Sequence, residues 1–167
     1  MKDNRQHNLT RILFAVYFLI LVWILLFKMS FSIDELYKNR SINIIPFMGS
    51  VIVNGRIYIS EIINNIVVFI PVGIYVCMLK KDWSILKKIS VGFFISLSIE
   101  VLQFILAIGA TDITDLIGNT LGGIIGIFVF YLLSKVLKSK TNNIINILAL
   151  IATILLLGFI SILVFTN

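Results

Sequence analysis

The sequence predicts an all-α integral membrane protein: a bundle of five transmembrane helices, N-terminus inside and C-terminus outside, with a long outer connection between helices 1 and 2. Three observations predict it. Hydrophobic residues make up 59% of the 167 and charged residues only 13%, and mean hydropathy is +1.07, more apolar surface than a soluble chain of this length buries. Five apolar stretches, near 12–27, 62–79, 89–108, 116–137 and 144–165, reach or approach the length that crosses about 30 Å of hydrocarbon at about 1.5 Å per helical residue. The lysines and arginines are concentrated in alternate connections, as orientation in a membrane requires.

The first stretch follows Lys2, Arg5 and Arg11. It is too long for a signal peptide and has no small-residue cleavage site after it, so an uncleaved span is expected. Lys80, Lys81, Lys87 and Lys88 separate the second and third stretches, and Lys135, Lys138 and Lys140 the fourth and fifth. Both connections belong inside with the N-terminus. The connection 28–61, the acidic turn around Asp112 and Asp115 and the C-terminus fall outside. The chain is expected to be one domain over 1–167, without internal repeats. A net charge of +6 would suit a nucleic-acid partner. Here the bases lie in short runs between apolar segments, so no nucleic acid is expected.

Polar residues inside apolar segments point to the site. A carboxylate in hydrocarbon costs roughly 2.5–3.5 kcal/mol on insertion scales, and Glu100 lies within the third stretch. Ser96, Glu100, Gln103 and Ala107 share one face of that helix, and Asp115 and Asn119 share one on the fourth. The second span enters from outside at Asn64 and Asn65, so all of these fall in the outer half. Arg40 and Asn43, in the outer connection, are the cation and amide placed to meet the carboxylates, with Glu100–Arg40 the preferred pair. Each also has a simpler role. Asp112 or Thr111 suits the N-cap of the fourth helix, and for Asp112 the cap is the favoured role. Asn119 and Gln103 suit interhelical hydrogen bonding as well as they suit a site. Glu100 is harder to explain structurally, because Ser or Asn would pack helices at lower cost.

Gly118, Gly122 and Gly126 recur every four residues along the fourth span, a groove for close helix packing. Its partner is either a helix of the same chain or a second copy, giving a homo-oligomer. Pro71 interrupts the second span with Gly73 beside it, so a kink that opens the outer bundle is expected. In the outer connection, Asn54-Gly55 within 51–59 signals a two-residue hairpin. Helical surroundings favour instead a short interfacial helix or re-entrant segment with a turn at Asn54-Gly55. Cys77 is the single cysteine; no intrachain disulfide or cysteine metal site is possible, and it is expected to be packing.

Four blocks then occur in order: Arg40-Ser41-Ile42-Asn43-Ile44-Ile45-Pro46-Phe47; Asn65-x-x-x-Phe69-x-Pro71-x-Gly73; Ser96-x-x-x-Glu100-x-x-Gln103; and Asp112-x-x-Asp115-x-x-x-Asn119-x-x-Gly122. Over roughly 35–130 the chain resembles the VanZ-like membrane proteins, and the four blocks together are far more specific than any one. That family's pattern also carries an Arg just before the Asp-x-x-Asp block, where Gly109 and Ala110 stand here, which leaves Arg40 as the main candidate cation. The resemblance implies a cell-envelope role in a bacterial cell membrane, its founding member being associated with teicoplanin resistance. It implies no catalytic mechanism.

The reading ranked first is a non-enzymatic envelope factor implicated in glycopeptide resistance. Besides membrane lipids, it would bind a glycopeptide, a lipid-linked wall precursor or an anionic surface polymer through Arg40, Asn43, Asn65, Glu100, Gln103, Asp115 and Asn119. The alternative is a membrane-embedded enzyme acting on a phosphorylated lipid-linked precursor. Glu100 would be its general acid or base, and Asp112 with Asp115 would hold a divalent cation. His7 lies in the N-terminal tail, and no nucleophile stands out. A small transporter with Glu100 as a proton or ion relay ranks third, because the carboxylates lie only in the outer half. The sequence names no cofactor and leaves open whether anything is turned over.

Overall fold

The computed structural model describes residues 2–27, 39–46, 52–53, 56–57 and 59–166. Five α-helices account for most of them: α1 (Lys2–Leu26), α2 (Ile59–Leu79), α3 (Ile85–Leu106), α4 (Ile113–Leu137) and α5 (Thr141–Thr166). Four short strands accompany them: β1 (Asn39–Asn43), β2 (Ile52–Val53), β3 (Arg56–Ile57) and β4 (Ile108–Asp112). By length and apolarity, four helical segments among the described residues are able to cross a membrane: Asn4–Leu26, Ile59–Leu79, Ile85–Leu106 and a run Ile113–Ile162 that covers α4 and most of α5. A 3-10 turn, Lys138–Lys140, divides that last run. The outward faces remain strongly apolar, with Leu19, Phe94, Phe128 and Leu155 all more than half exposed. Such a surface fits a membrane protein, because hydrocarbon and not water is the solvent it matches.

The helices begin and end where local chemistry dictates. Ser84 caps α3, its hydroxyl accepting from the Lys87 N–H. Ala107 closes the same helix at φ 56°, ψ 35°, its N–H donating to the carbonyls of Gln103 and Phe104. That left-handed turn, costly for a residue with a Cβ, ends α3 before the expected 108 and sends Ile108 into β4. There the chain pairs with β1 in parallel: Asn39 opposite Ile108, Arg40 opposite Gly109, Asn43 opposite Asp112. No sequence signal marked this pair. It satisfies backbone groups of two connecting segments at the rim of an apolar bundle, where bare peptide groups are expensive.

The preferred helix or re-entrant segment over 51–59 is corrected. β2 and β3 pair antiparallel, Ile52 with Ile57 and Val53 with Arg56, the arrangement the Asn54-Gly55 signal implied. Asn54 and Gly55 themselves lie outside the described residues. Two short β-rich strands complete their hydrogen bonds locally without a helical nucleus, whose formation is unfavourable over so few residues.

The core is built on α2 and α4, which share the most intimate contact in the molecule. Gly122 packs against the Ile66 carbonyl and Phe69, and Gly126 against the Ile70 carbonyl and Gly73. From the other side, Gly73 meets the Gly123 carbonyl. Of the two partners the sequence left open for the glycine face, a helix of the same chain is seated on it. Pro71 lies inside the continuous α2. It withholds the N–H that would bond the Val67 carbonyl, and one residue on, the Val68 carbonyl accepts from the Tyr17 hydroxyl of α1. Phe69, Val72, Val76, Ile99 and Leu21 fill the space between α1, α2 and α3, and Cys77 packs with Leu13, Tyr75 and Met78. α5 joins mainly through α1, where the buried Asn146 donates to both the carbonyl and the side-chain oxygen of Gln6 and accepts from Thr10.

Candidate functional site

α2 enters the bundle, α3 leaves it and α4 re-enters it at one end, so polar residues near those ends of the three helices share a neighbourhood. On α3, Ser96 (0% exposed), Glu100 (4%) and Gln103 (7%) all face the interior. The Glu100 carboxylate accepts the backbone N–H of Asp112 at 3.0 Å, while its own backbone carbonyl accepts from the Thr111 hydroxyl at 3.1 Å. The left-handed turn at Ala107 makes this possible, folding β4 back along the helix it has just left.

Asp112 links three elements. One carboxylate oxygen caps α4 by accepting the Thr114 N–H at 2.7 Å, the cap the sequence favoured. The other accepts the side-chain amide of Asn43 on β1 at 3.0 Å. Asn43 is fixed in turn by its own oxygen, which accepts the Ile45 N–H at 3.2 Å. Beside this chain of bonds, Asn65 on α2 donates to Asp115 on α4 at 2.6 Å. Deeper in the bundle, Asn119 (2% exposed) donates to the Ser96 hydroxyl at 2.9 Å.

The structure therefore brings Asn43, Asn65, Glu100, Asp112, Asp115 and Asn119 to one end of the α2–α3–α4 core. Gln103 turns elsewhere: its amide nitrogen donates to the Leu25 carbonyl at 2.9 Å, capping one of the last open carbonyls of α1. Arg40 sits in β1 opposite Gly109, beside the positions where the family pattern carries its own Arg. Its side chain lies outside the described ones, and with it the Glu100–Arg40 contact. Among the described residues, two buried acceptors, Gln103 Oε1 and Asn119 Oδ1, have no hydrogen-bond partner, and such atoms favour a bound donor. No group of three His, Cys, Asp or Glu side chains is placed to hold a metal among the described residues.

Thr111, the other N-cap candidate in the sequence, instead donates its hydroxyl to the Glu100 carbonyl because β4 turns back along α3, and Thr114 joins through the backbone N–H that Asp112 caps. Buried Asn146 and Thr10 are tied across α1 and α5, for which the polar run Asn142-Asn143-x-x-Asn146 was the available hint. Lys88, 3% exposed, reads in the sequence as an ordinary orienting charge.

The sequence model of the VanZ/LLP1 family matches residues 14–138, from the second turn of the apolar part of α1 to the end of α4, and so encloses every element of the site. The chain belongs to the VanZ/LLP1 family. A relative named Protein VanZ, from Enterococcus faecium, is 38% identical over 154 residues, covering 90% of this chain and 92% of the relative. No solved structure matches the chain. In this VanZ-family protein the four motif blocks are the segments that the hydrogen bonds join: Asn43 from the first, Asn65 from the second, Ser96 and Glu100 from the third, Asp112, Asp115 and Asn119 from the fourth.

Proposed function

We propose that this protein is a multi-pass component of a bacterial cell membrane that contributes to glycopeptide resistance, teicoplanin included, by binding an envelope ligand at an outward-facing polar site. The observation that carries the reading is the tie from Asn43 on β1 through Asp112 to Glu100 on α3. It holds two carboxylates in place before any ligand arrives, so less ordering is charged against binding. Apolar helices around the cluster reduce competition from water and strengthen hydrogen bonds made there.

The reading takes the chain as five spans with the N-terminus inside, which puts the lysine-bearing ends inside and the polar site outside. In the outer leaflet the site would meet a glycopeptide, a lipid-linked wall precursor or an anionic surface polymer. Arg40 and the second amide hydrogens of Asn43 and Asn65 supply donors to such a ligand, and the buried Asn119 Oδ1 supplies an acceptor. Glu100, Asp112 and Asp115 accept from its ammonium or hydroxyl groups, and the helix walls hold an acyl chain. Family membership and the extent of the match to Protein VanZ support a shared role.

The test is teicoplanin susceptibility in a deletion strain complemented by the wild-type gene or by Glu100→Gln. Deletion is expected to raise susceptibility and the wild type to reverse it. Glu100→Gln, which keeps the shape and the bond to the Asp112 N–H but removes the charge, is expected to fail at equal membrane abundance. Unchanged susceptibility on deletion would sink the resistance reading, and full rescue by the glutamine variant would remove the charged site from it.

A further inference from the structure

At the end of the bundle opposite the polar site, where α2 leaves and α3 begins and where α4 gives way to α5, a cavity of about 980 Å3 opens between the helices. Lys81, Lys88, Tyr131, Ser134, Lys138 and Lys140 are among its lining residues, and no lining residue is acidic. Phe130 and Cys77 supply an apolar part of the wall. Its size lies within the range of small-molecule sites.

Lys88 makes this more than a solvated basic face. It is 3% exposed, and among the described residues its ammonium donates to two neutral acceptors, the Lys81 carbonyl at 3.1 Å and the Tyr131 hydroxyl at 3.0 Å. An ammonium has three donors, and no carboxylate pairs with this one among the described residues. It also sits in the first turn of α3, where the helix dipole is positive and disfavours a cation. Sequestered charge of one sign, with neither counter-ion nor favourable dipole, is satisfied by an anion in the adjoining space. The opposite wall adds Lys138 at φ 51°, a conformation glycine adopts at lower cost. Backbone strain of this kind persists where surroundings over-determine it, often around ligands.

We propose that this cavity binds a phosphate group, with Lys88 as its buried anchor and Lys81, Lys138 and Lys140 around its mouth. Apolar wall beside charged mouth fits the headgroup of an anionic phospholipid, its acyl chains lying along the helices; free phosphate would use the same lysines without that wall. Basic pockets between membrane helices take lipid headgroups in this way. The inference is independent of the ligand bound at the other end of the molecule.

Purified full-length protein in neutral detergent would be titrated with short-chain phosphatidylglycerol, the matching phosphatidylcholine and inorganic phosphate, following bound ligand by native mass spectrometry and thermal midpoint in parallel. Phosphatidylglycerol is expected to bind at least tenfold more tightly than phosphatidylcholine. Lys88→Gln and, separately, the exposed pair Lys138→Gln with Lys140→Gln are each expected to remove most of that preference, while Lys135→Gln, outside the cavity, keeps it. Should Lys88→Gln fail to fold, the exposed pair decides. Binding of inorganic phosphate as strong as that of the lipid, lost in the same variants, assigns the site to free phosphate. Equal binding of the two lipids without phosphate binding, or equal losses in Lys135→Gln and the cavity variants, would overturn the proposal.

Discussion

Asp112 shows how much one side chain carries at the polar end. Its two oxygens serve different elements, one capping α4 at Thr114 and the other holding Asn43 of β1, while its backbone N–H reaches Glu100. An N-cap is worth about 1 kcal/mol, and a hydrogen bond to a charged group roughly 1.5–3 kcal/mol. Asp112→Ala removes both side-chain functions and is expected to lower the thermal midpoint of the solubilised protein by several degrees. Asp112→Asn retains an oxygen for the cap and should fall between alanine and wild type, a graded order that a thermal-shift series reads directly. If alanine and asparagine prove equally damaging, the carboxylate and not the cap dominates the site's stability.

At the scale of elements, the α2–α4 contact depends on having no side chain at the crossing. A Cβ at Gly122 would collide with the Ile66 carbonyl and one at Gly126 with the Ile70 carbonyl, whereas at Gly158 on α5 it would meet nothing. Overpacking of this kind costs about 1–3 kcal/mol even where neighbours yield, and here the neighbour is helix backbone. Gly122→Ala is therefore expected to destabilise clearly. Gly158→Ala should be neutral or slightly stabilising, since alanine is the better helix former by about 1 kcal/mol in a helix interior. Because Gly118 of the same row packs against Asn65, loss of the groove would also separate Asn65 from Asp115, and teicoplanin susceptibility of the Gly122→Ala strain is expected to follow its stability.

At the scale of the whole molecule, orientation is the property on which an outward-facing site depends. Ile45, just past β1, and Ser139, in the turn between α4 and α5, are both exposed at opposite ends of the bundle. In a Cys77→Ser background, Ile45→Cys is expected to react with a membrane-impermeant thiol reagent in intact cells, and Ser139→Cys only after lysis. The reverse pattern would put the lysine-bearing end outside and remove the argument for an outer-leaflet ligand. The two polar regions are chemically distinct, a difference that the proposed placement would match to the two sides of a membrane. Carboxylates and amides gather where α3 ends and α4 begins, lysines where α2 and α4 end.

What the sequence determined by itself follows from periodicity and solvent. Apolar length marked the helical segments, helical spacing put Ser96, Glu100 and Gln103 on one buried face, and the Asp112 cap followed from local hydrogen bonding. Only the tertiary structure decided what is non-local. Strand β1 meets β4 across 69 residues of sequence (112 − 43) at the Asn43–Asp112 bond, a pairing neither segment encodes alone. The hairpin signal at Asn54-Gly55 was legible but was outweighed by helical surroundings that place no constraint on so short a segment. Lys88 is buried because α4 brings Tyr131 over it, and composition cannot distinguish such a lysine from the orienting charges beside it. Patterns in sequence report the solvent each face meets; which partner fills that face is settled when the helices pack.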